Sequence, residues 1–536
     1  MAGKIKKSPK SVKLPSKKTS EKYALISVFD KNGIVEFAKS LSELNYKIIS
    51  TGGTAKVLID AGIKIIPIQE ITGNPESFDG RMKTISFQIE SGILFDRKNS
   101  KHVKEAKKLK IKSIDVVVCN LYPFEKTVSD PKVSLKDAIE NIDVGGPTMI
   151  RAAAKNNKNV LVITDPSDYQ NISDLLIQKK IDEKVRLGLS AKAFRHLSFY
   201  DSQIANFLEF GKTGFVNEIA LPGRKIIDLR YGDNPHQKAA VFIEPNTNSP
   251  LSRLEKITGR DLSATNFTDI SSGLESVRIF NESAAVVIKH NSPSGVALGN
   301  SISQALERAV AADPESAFGG VIVLNEPIDL KTAKTFAGFK EENGVLIDII
   351  AAPSVKDEAV EFIKQIRKST GIYIFGKIPK KRSNNKHLRF FDGGFVMQEW
   401  DDDLNFKNWK IVTKSKPTSS QMKQMKIAWS FIGRIRSNTI LVIDKNLPMT
   451  RGIGSGQTSR VRATKIALEQ SGKNVKGGVL ASDSFFPFDD SVKLAVKAGI
   501  SAIVQQGGSV NDQASIDEAN KAGIPMVFTG QRKFWH

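Results

Sequence analysis

The sequence has one cysteine, Cys119, in 536 residues. No intrachain disulfide can therefore form, and a cysteine-based metal site is disfavoured, as expected for a protein of the reducing cytoplasm. Long apolar runs are also missing, since none approaches the ~18 residues that a membrane span needs. Aromatic residues make up 7% of the chain and do not alternate with basic clusters. Binding to nucleic acid is therefore disfavoured.

Residues 1–20 contain seven lysines but no acidic residue and no arginine. They also lack the apolar core of a secretory signal, and without arginine they make a poor transit peptide. We predict a disordered basic tail. The net charge of +22, less these seven lysines, leaves +15 on the remaining chain. This excess favours either small anionic substrates, such as phosphates and carboxylates, or nucleic acid.

The length and the repeated alternation of strand and helix patterns predict an α/β protein of two to four domains. Residues 165–215 are predicted to be mostly helical, and glycine and proline interrupt the pattern over residues 211–224. We therefore place a domain boundary near 220, giving domains 21–220 and 221–536. A basic connector near 377–395 would divide the second domain into two subdomains. Its Lys380-Lys-Arg382 cluster predicts a solvated loop or, less favoured, a nucleic-acid contact.

The apolar run Ala284–Ile288 predicts a buried strand that stops at Lys289-His290. The following residues, 291–295, predict a turn. A lysine–histidine pair would thus stand at the end of a rigid strand, where open α/β sheets place their ligands. Histidine moves protons near neutral pH, and an ammonium stabilises negative charge on oxygen. The alternative is an incidental polar pair at a strand end.

In the first half, strand patterns at Tyr23–Phe29 and Tyr46–Ser50 precede polar turns. The second strand leads into Thr51-Gly-Gly-Thr54, with a helix expected from about Ala55. A glycine-rich turn before a helix presents free N–H groups and the positive end of the helix dipole, which suits a phosphate. The alternative is an ordinary tight turn between strand and helix.

Basic residues recur at strand ends and helix starts of this half. After the predicted strand Asp115–Leu121, Gly145-Gly146-Pro147 opens a predicted helix. Each lysine or arginine alone would be a solvated surface charge, but together they indicate a pocket that binds an anion. The residues concerned are Lys31, Arg81, Lys83, Arg151 and Lys155.

Ordered motifs run through the whole chain. They are Ser27–Lys31, Ser50–Thr54, Gly80–Thr84, Cys119–Phe124, Ile142–Gly146, Arg151–Asn156, Leu229–Gln237, Lys289-His290, Ala312–Gly320, Leu346–Pro353, Ala481–Phe488 and Arg532–His536. With these motifs the chain resembles the bifunctional AICAR formyltransferase/IMP cyclohydrolase family over about residues 22–536. The resemblance implies a methylglyoxal-synthase-like N-terminal domain followed by two tandem cytidine-deaminase-like α/β subdomains that no longer bind zinc.

The resemblance also implies two reactions. A formyl group would pass from 10-formyltetrahydrofolate, a co-substrate, to AICAR, and the product FAICAR would lose water and close to IMP. The implied catalytic residues are Lys289 and His290 for formyl transfer, with Lys83, Tyr122, Asp143 and Lys155 for ring closure. The implied substrate-binding residues are Ser27, Lys31, Thr51, Gly52, Gly53, Thr54, Arg81, Thr84, Asn120, Gly145, Arg230, Tyr231, Asn266, Gly319, Asp348, Asn438, Gln457, Arg460, Phe485 and Arg532.

The resemblance further implies a cytoplasmic homodimer with formyltransferase sites between subunits. No tightly bound organic cofactor is expected from it. No metal-ligating residue is assigned, and whether a metal ion binds is left open. Gly452-x-Gly-x-Gly differs in spacing from a dinucleotide fingerprint and has no ribose-binding acid, so NAD is rejected.

One segment departs from the family. After Lys83-Thr84 the family usually has Leu-His-Pro and a second histidine, whereas this chain has Ile85-Ser-Phe-Gln-Ile-Glu90. A formyltransferase with an impaired cyclohydrolase domain is therefore one alternative. A basic RNA-binding or scaffold protein is another, but it would have no use for intact catalytic motifs.

Overall fold

The computed structural model of the chain describes residues 21–78, 80–209, 215–384 and 386–536. The tail predicted for residues 1–20 lies outside these ranges. The described residues up to Gly223, with Glu244–Asn246, form one compact unit, and Arg224–Ile243 with Thr247–His536 form the other. Within the described ranges, no helix combines the length and apolar character that crossing a membrane requires.

The first unit is built on a parallel five-stranded sheet in the order β3-β2-β1-β4-β5. Its strands are β1 (Lys22–Val28), β2 (Tyr46–Ser50), β3 (Ile65–Pro67), β4 (Ile114–Asn120) and β5 (Leu161–Ile163). Its helices are α1 (Ile34–Glu43), α2 (Gly52–Asp60), α3 (Ile68–Thr72), α4 (Phe87–Leu94), α5 (Ser100–Lys108), α6 (Phe124–Val128), α7 (Leu135–Glu140), α8 (Gly145–Lys155), α9 (Tyr169–Ile177) and α10 (Glu183–Leu208).

The predicted strands of this unit are confirmed. The central strands β1 and β4 are apolar along almost their whole length because both faces of a parallel sheet are covered. The prediction for α2 was wrong by one turn, since the helix begins at Gly52 and not at Ala55. Both glycines of the turn therefore belong to the first turn of the helix, where free N–H groups are found.

The second unit contains all the remaining elements. Its strands are β6 (Arg224–Leu229), β7 (Ala239–Ile243), β8 (Glu255–Thr258), β9 (Ser283–Lys289), β10 (Ser292–Gly299), β11 (Val321–Leu324), β12 (Ile349–Ala352), β13 (Gly371–Ile374), β14 (Lys386–Phe391), β15 (Gly394–Glu399), β16 (Lys410–Ile411), β17 (Ile440–Ile443), β18 (Thr450–Gly454), β19 (Val479–Ser482), β20 (Ala502–Gln505) and β21 (Met526–Phe528). Its helices are α11 (Ala264–Val277), α12 (Ile302–Ala312), α13 (Pro314–Ala317), α14 (Leu330–Asn343), α15 (Asp357–Ile366), α16 (Ser419–Ile432), α17 (Arg460–Ser471), α18 (Asp490–Ala498) and α19 (Asp512–Lys521).

Two six-stranded sheets in this unit have the same topology. Their orders are β10-β9-β11-β12-β13-β8 and β18-β17-β19-β20-β21-β16. In each sheet an antiparallel hairpin lies against three parallel strands, and an antiparallel strand closes the far edge. The second unit is therefore a structural repeat of two α/β halves, which share one hydrophobic core.

Two local predictions for this unit were wrong. Residues 292–295 are not a turn, because β10 begins at Ser292 and pairs with β9. The connector is also not simply a solvated loop, because 386–391 pairs with 394–399 as a hairpin. Arg382 is largely buried and forms ion pairs with Glu275 and Asp402, which remove it from solvent.

The glycines of Gly452-x-Gly-x-Gly have a packing role. A Cβ on Gly452 or Gly454 would overlap the carbonyl oxygen of Ala467 or Ala463. Glycine at these positions of β18 lets α17 lie close against the strand. Gly452 and Gly454 are therefore explained by packing, without a dinucleotide.

Candidate active sites

The N-terminus of α2 brings together two lysine ammonium groups. A Cβ on Gly52 would stand 2.5 Å from Lys83 Nζ, and a Cβ on Gly53 would stand 3.7 Å from Lys31 Cε. Lys31 follows β1, and Lys83 follows an irregular segment, so the two come from distant parts of the sequence. Helix N–H groups and two cations at one point form a site for an anion.

Two threonine hydroxyls in this turn differ in availability. The Thr54 hydroxyl accepts the Val28 N–H at 3.1 Å and donates to the Val28 carbonyl at 2.9 Å. The Thr51 hydroxyl is buried and has no hydrogen-bond partner. A buried hydroxyl without a partner costs free energy, so Thr51 can gain from a ligand, whereas Thr54 holds the turn on β1. Ser27, also in β1, is half-buried.

Asn120 fixes the segment that carries Lys31. Its Oδ1 accepts the N–H groups of Phe29 and Asp30 at 2.7 and 2.9 Å, and its Nδ2 donates to the Asp30 carbonyl at 3.0 Å. Lys31 Nζ in turn donates to the Phe29 carbonyl at 3.0 Å. The segment borders a cavity of about 630 Å³. Asn120 therefore positions Lys31 indirectly, by holding the backbone of Phe29 and Asp30.

Asp143 and Tyr122 are neighbours at this edge of the sheet. Burial raises the pKa of Asp143, although the N–H groups of Gly146, Tyr122 and Gly145 oppose that shift. The Gly146 N–H donates to Asp143 Oδ1 at 2.8 Å. Burial, followed by the negative charge of Asp143, raises the pKa of Tyr122. Tyr200, which the sequence did not suggest, accepts the Asp143 N–H at 2.8 Å.

The segment that departs from the family pattern forms a regular helix. Thr84 Oγ1 would lie 2.5 Å from a Cβ on Gly145, so the start of α4 meets the start of α8. Ser86 caps α4 by accepting the Ile89 N–H at 3.1 Å. Burial raises the pKa of Glu90 to about 7. Lys83 and Thr84 are therefore followed by a regular, capped helix, although the two histidines of the family are missing.

Two other predicted residues of this unit have different surroundings. Arg81 is exposed and paired with Glu140. Lys155 is the last residue of α8, ten residues after Gly145, which corresponds to ~15 Å along a helix axis. The next residue, Asn156, is bound to the carbonyls of Ile93 and Phe95 at the far end of α4.

In the second unit, Lys289 and His290 stand at the β9–β10 turn. His290 and Asn291 have φ values of 56° and 58°, in the left-handed region. β9 runs antiparallel to β11, so its end lies beside the start of β11 and not at a parallel-strand carboxyl edge. The rule used for open parallel sheets therefore does not apply here, although the pair does end a buried strand.

Lys289 is joined there by two other predicted residues. Its Nζ donates to the carbonyl of Phe318, next to Gly319, at 2.7 Å. Asp348 precedes β12, and its N–H donates to the Gly320 carbonyl at 3.0 Å. Its carboxylate pairs with Arg260 at 2.6 Å, a residue that the sequence did not suggest. In the first α/β half of this unit, positively and negatively charged side chains therefore lie near the β9–β10 turn.

Arg230 and Tyr231 lie against the start of α11. The Arg230 guanidinium is 4.7 Å from the centre of the Tyr231 ring and donates to its hydroxyl at 3.0 Å. Their backbones bond to Leu262 and Ala264. Asn266 forms a capping box with the helix N-cap, so its side chain stabilises the start of α11.

Asn438, Gln457 and Arg460 meet in the second repeat. Asn438 Nδ2 donates to the Gln457 carbonyl at 2.7 Å, and Asn438 Oδ1 accepts from Arg460 at 2.7 Å. Arg460 is buried and paired with the fully buried Asp483. Asp483 was missed as a site residue although it lies within the Ala481–Phe488 motif, because its ion pair with Arg460 is not visible in the sequence.

The last two predicted residues lie elsewhere in this unit. Phe485 is half-buried. The Arg532 guanidinium lies 4.5 Å from the centre of the Phe534 ring.

These sites define the class of the protein. The first unit offers an anion site beside a buried carboxylate, and the second offers a lysine–histidine pair among charged groups. A two-unit α/β chain with such sites is an enzyme for small anionic substrates.

Comparisons with known proteins agree with this class. The family model for the AICARFT/IMPCHase bienzyme matches residues 153–470, and the model for the MGS-like domain matches residues 33–148. A protein of Acetivibrio thermocellus, named bifunctional purine biosynthesis protein PurH, is 44% identical, with 96% of this chain and 100% of that protein covered. A protein of the same name from Thermoanaerobacter sp. is 43% identical with the same coverage.

The chain belongs to the AICARFT/IMPCHase bienzyme family. It is a bifunctional enzyme of purine biosynthesis, with AICAR formyltransferase and IMP cyclohydrolase activities and a formyl-folate co-substrate. The methylglyoxal-synthase-like first domain is confirmed. A solved structure described as "Crystal structure of ForH" is 32% identical over 35% of this chain and 100% of that chain, with a TM-score of 0.31, too low to inform the fold.

Proposed function

We propose that ring closure takes place in the first unit, at the N-terminus of α2, with Lys31, Lys83, Tyr122 and Asp143. The observation that carries the proposal is the approach of two lysine ammonium groups to the glycines of this turn. The phosphate of the substrate binds the helix N–H groups and Lys31. The unpartnered hydroxyl of Thr51 adds a donor.

The residues around this anion site suit the chemistry of ring closure. Attack of the carboxamide nitrogen on the formyl carbon moves negative charge to the formyl oxygen, which is later lost as water. The ammonium of Lys83 stabilises that oxygen. Asp143 orients the amide and takes its proton, for which its raised pKa is favourable. Tyr122, next to Asp143, orients the carboxamide.

Synthetic FAICAR tests this assignment. The wild-type protein should form IMP faster than the spontaneous reaction, and Lys83→Ala should lower the rate by about 10²–10³, as for loss of one oxyanion donor. Lys155→Ala removes an equal charge that lies ~15 Å from Gly145 along α8, and it should cost much less. No acceleration by the wild type would mean that the altered segment 85–90 has disabled the site. Equal losses in the two variants would give Lys155 a catalytic role.

We assign formyl transfer from 10-formyltetrahydrofolate to Lys289 and His290. His290 accepts the proton of the AICAR amine as its nitrogen attacks the formyl carbon, and Lys289 stabilises charge on the formyl oxygen. Support comes from the exposure of His290 at a fixed turn and from Gly319 and Asp348 beside Lys289. Arg230 and Tyr231 supply donors for the ribose phosphate.

His290→Ala tests this assignment. Loss of one general base should lower formyl transfer by about 10²–10⁴. Cyclisation of supplied FAICAR should stay at the wild-type rate, which reports an intact first unit. Formyl transfer near the wild-type rate would contradict the role of His290.

We further propose a cytoplasmic homodimer whose domains divide at about residue 220, with cytidine-deaminase-like halves in the second domain. The homodimer and its compartment are what the family resemblance implies. The division into compact units at Gly223 supports the boundary, and the shared sheet order supports the two similar halves. Sedimentation at equilibrium tests the dimer, because a single species of the mass of one chain would exclude it.

A further inference from the structure

Asp269 is a buried carboxylate in the interior of α11. Only 5% of the residue is exposed, and its Oδ1 accepts the Asn291 N–H at 2.7 Å. Aspartate is a poor residue for a helix interior, and a buried carboxylate is costly unless it is bonded or paired. Its position is therefore explained by what it contacts, which is the turn that carries His290.

The turn itself needs support. Two-residue hairpins with both φ values positive favour glycine and asparagine, whereas this one has His290 first. Asn291 is bound twice to α11, through its N–H to Asp269 and through its Oδ1 to the Ser272 hydroxyl at 3.2 Å. These contacts hold the histidine backbone in a conformation that it would not adopt readily alone.

The pKa of Asp269 also reflects the closeness of His290. Burial raises the pKa of Asp269, while the Asn291 N–H, the positive charge of His290 and the His290 N–H each lower it. His290 is the charged group among these contributions. The other cation beside His290 is Lys289, whose Nζ is held by the Phe318 carbonyl.

We propose that Asp269 is a positioning residue for formyl transfer, which holds the His290 turn in place and stabilises the imidazolium formed when His290 takes the amine proton. The inference rests on the proposed role of His290. It assigns to Asp269 a function that no motif in the sequence indicated.

Two substitutions separate the two roles. Asp269→Asn keeps an acceptor for the Asn291 N–H but removes the charge, and Asp269→Ala removes both. Glu282→Gln is the matched control, because this exposed carboxylate precedes β9 at its opposite end. All are measured for formyl transfer across pH and for cyclisation of FAICAR, which reports intact protein.

We expect Asp269→Asn to lower formyl transfer about 10- to 100-fold, a part of the ~10²–10⁴ that a general base supplies. The acid limb of its pH profile should move to lower pH, because the imidazolium loses its counter-charge. Asp269→Ala should lose more activity, and Glu282→Gln should match the wild type. In a His290→Ala background, Asp269→Asn should cost nothing further.

An unchanged rate and pH profile in Asp269→Asn would overturn the inference while leaving the role of His290 intact. A second result would also overturn it. If Asp269→Asn lost formyl transfer without moving the acid limb, and if this loss added to the loss in His290→Ala, Asp269 would have a structural role alone. Full activity in His290→Ala would instead overturn the proposed function, and the inference with it.

Discussion

Lys83 Nζ lies over Gly52, where a Cβ would stand 2.5 Å away. Gly52 also has a φ of 54°, a conformation that other residues adopt at a cost. Glycine at position 52 therefore serves two purposes at once. It lets the first turn of α2 form, and it leaves space for the Lys83 ammonium at the helix N-terminus.

Gly52→Ala should slow cyclisation in addition to lowering the stability of the protein. The methyl group would displace Lys83 Nζ from the helix N-terminus, and we expect at least a tenfold loss, toward the ~10²–10³ seen when an oxyanion donor is removed. Gly62→Ala is the control, because its φ is 78° and nothing lies within 4 Å of its Cβ position. Both should lose about 1–2 kcal/mol of stability through the left-handed backbone. If both lost cyclisation equally, displacement of Lys83 would not be the cause.

Glu90→Gln should change how stability depends on pH. The pKa of Glu90 is raised by burial to about 7 from an ordinary value of 4.5, and its Oε1 has no hydrogen-bond partner. The contribution of protonated Glu90 to the free energy of unfolding is therefore fully present below pH 4.5, and it is lost as the pH rises through about 7. Urea unfolding should show the variant gaining stability over the wild type between pH 5 and 8. A constant difference between the two proteins over that range would contradict the ionisation of Glu90.

Asp483→Ala should destabilise the second unit. The fully buried carboxylate pairs with Arg460 and accepts the Thr439 N–H at 3.0 Å. Its removal leaves a buried guanidinium uncompensated, which costs about 3–5 kcal/mol. Formyl transfer should also fall, because Arg460 holds Asn438. Chemical unfolding and the formyltransferase assay measure the two effects.

Asp489→Ala is the matched control for that substitution. Asp489 pairs with the exposed Lys493 one helical turn away, at 2.8 Å. Exposed pairs contribute little, so this variant should unfold like the wild type. Similar unfolding of both variants would show that burial of the Arg460–Asp483 pair does not matter.

The sequence by itself determined the elements whose pattern is local. The buried strands β1, β4 and β9 follow from short β-branched runs, whereas the start of α2 was predicted one turn too late. The lysine–histidine pair could be placed at a strand end for the same reason, and the ordered motifs were sufficient for the family. Side-chain periodicity and turn chemistry act between near neighbours, so they can be recognised without a structure.

Only the tertiary structure decided which residues meet. Asp269 reaches Asn291 across 22 positions, and Asp483 reaches Arg460 across 23. Lys155 shares a helix with Gly145 but lies at its other end, and β9 meets its neighbours antiparallel. That the two halves of the second unit share one sheet order likewise appears only in the structure. The physical reason is that these relationships depend on the packing of whole helices against sheets, which no local pattern of residues records.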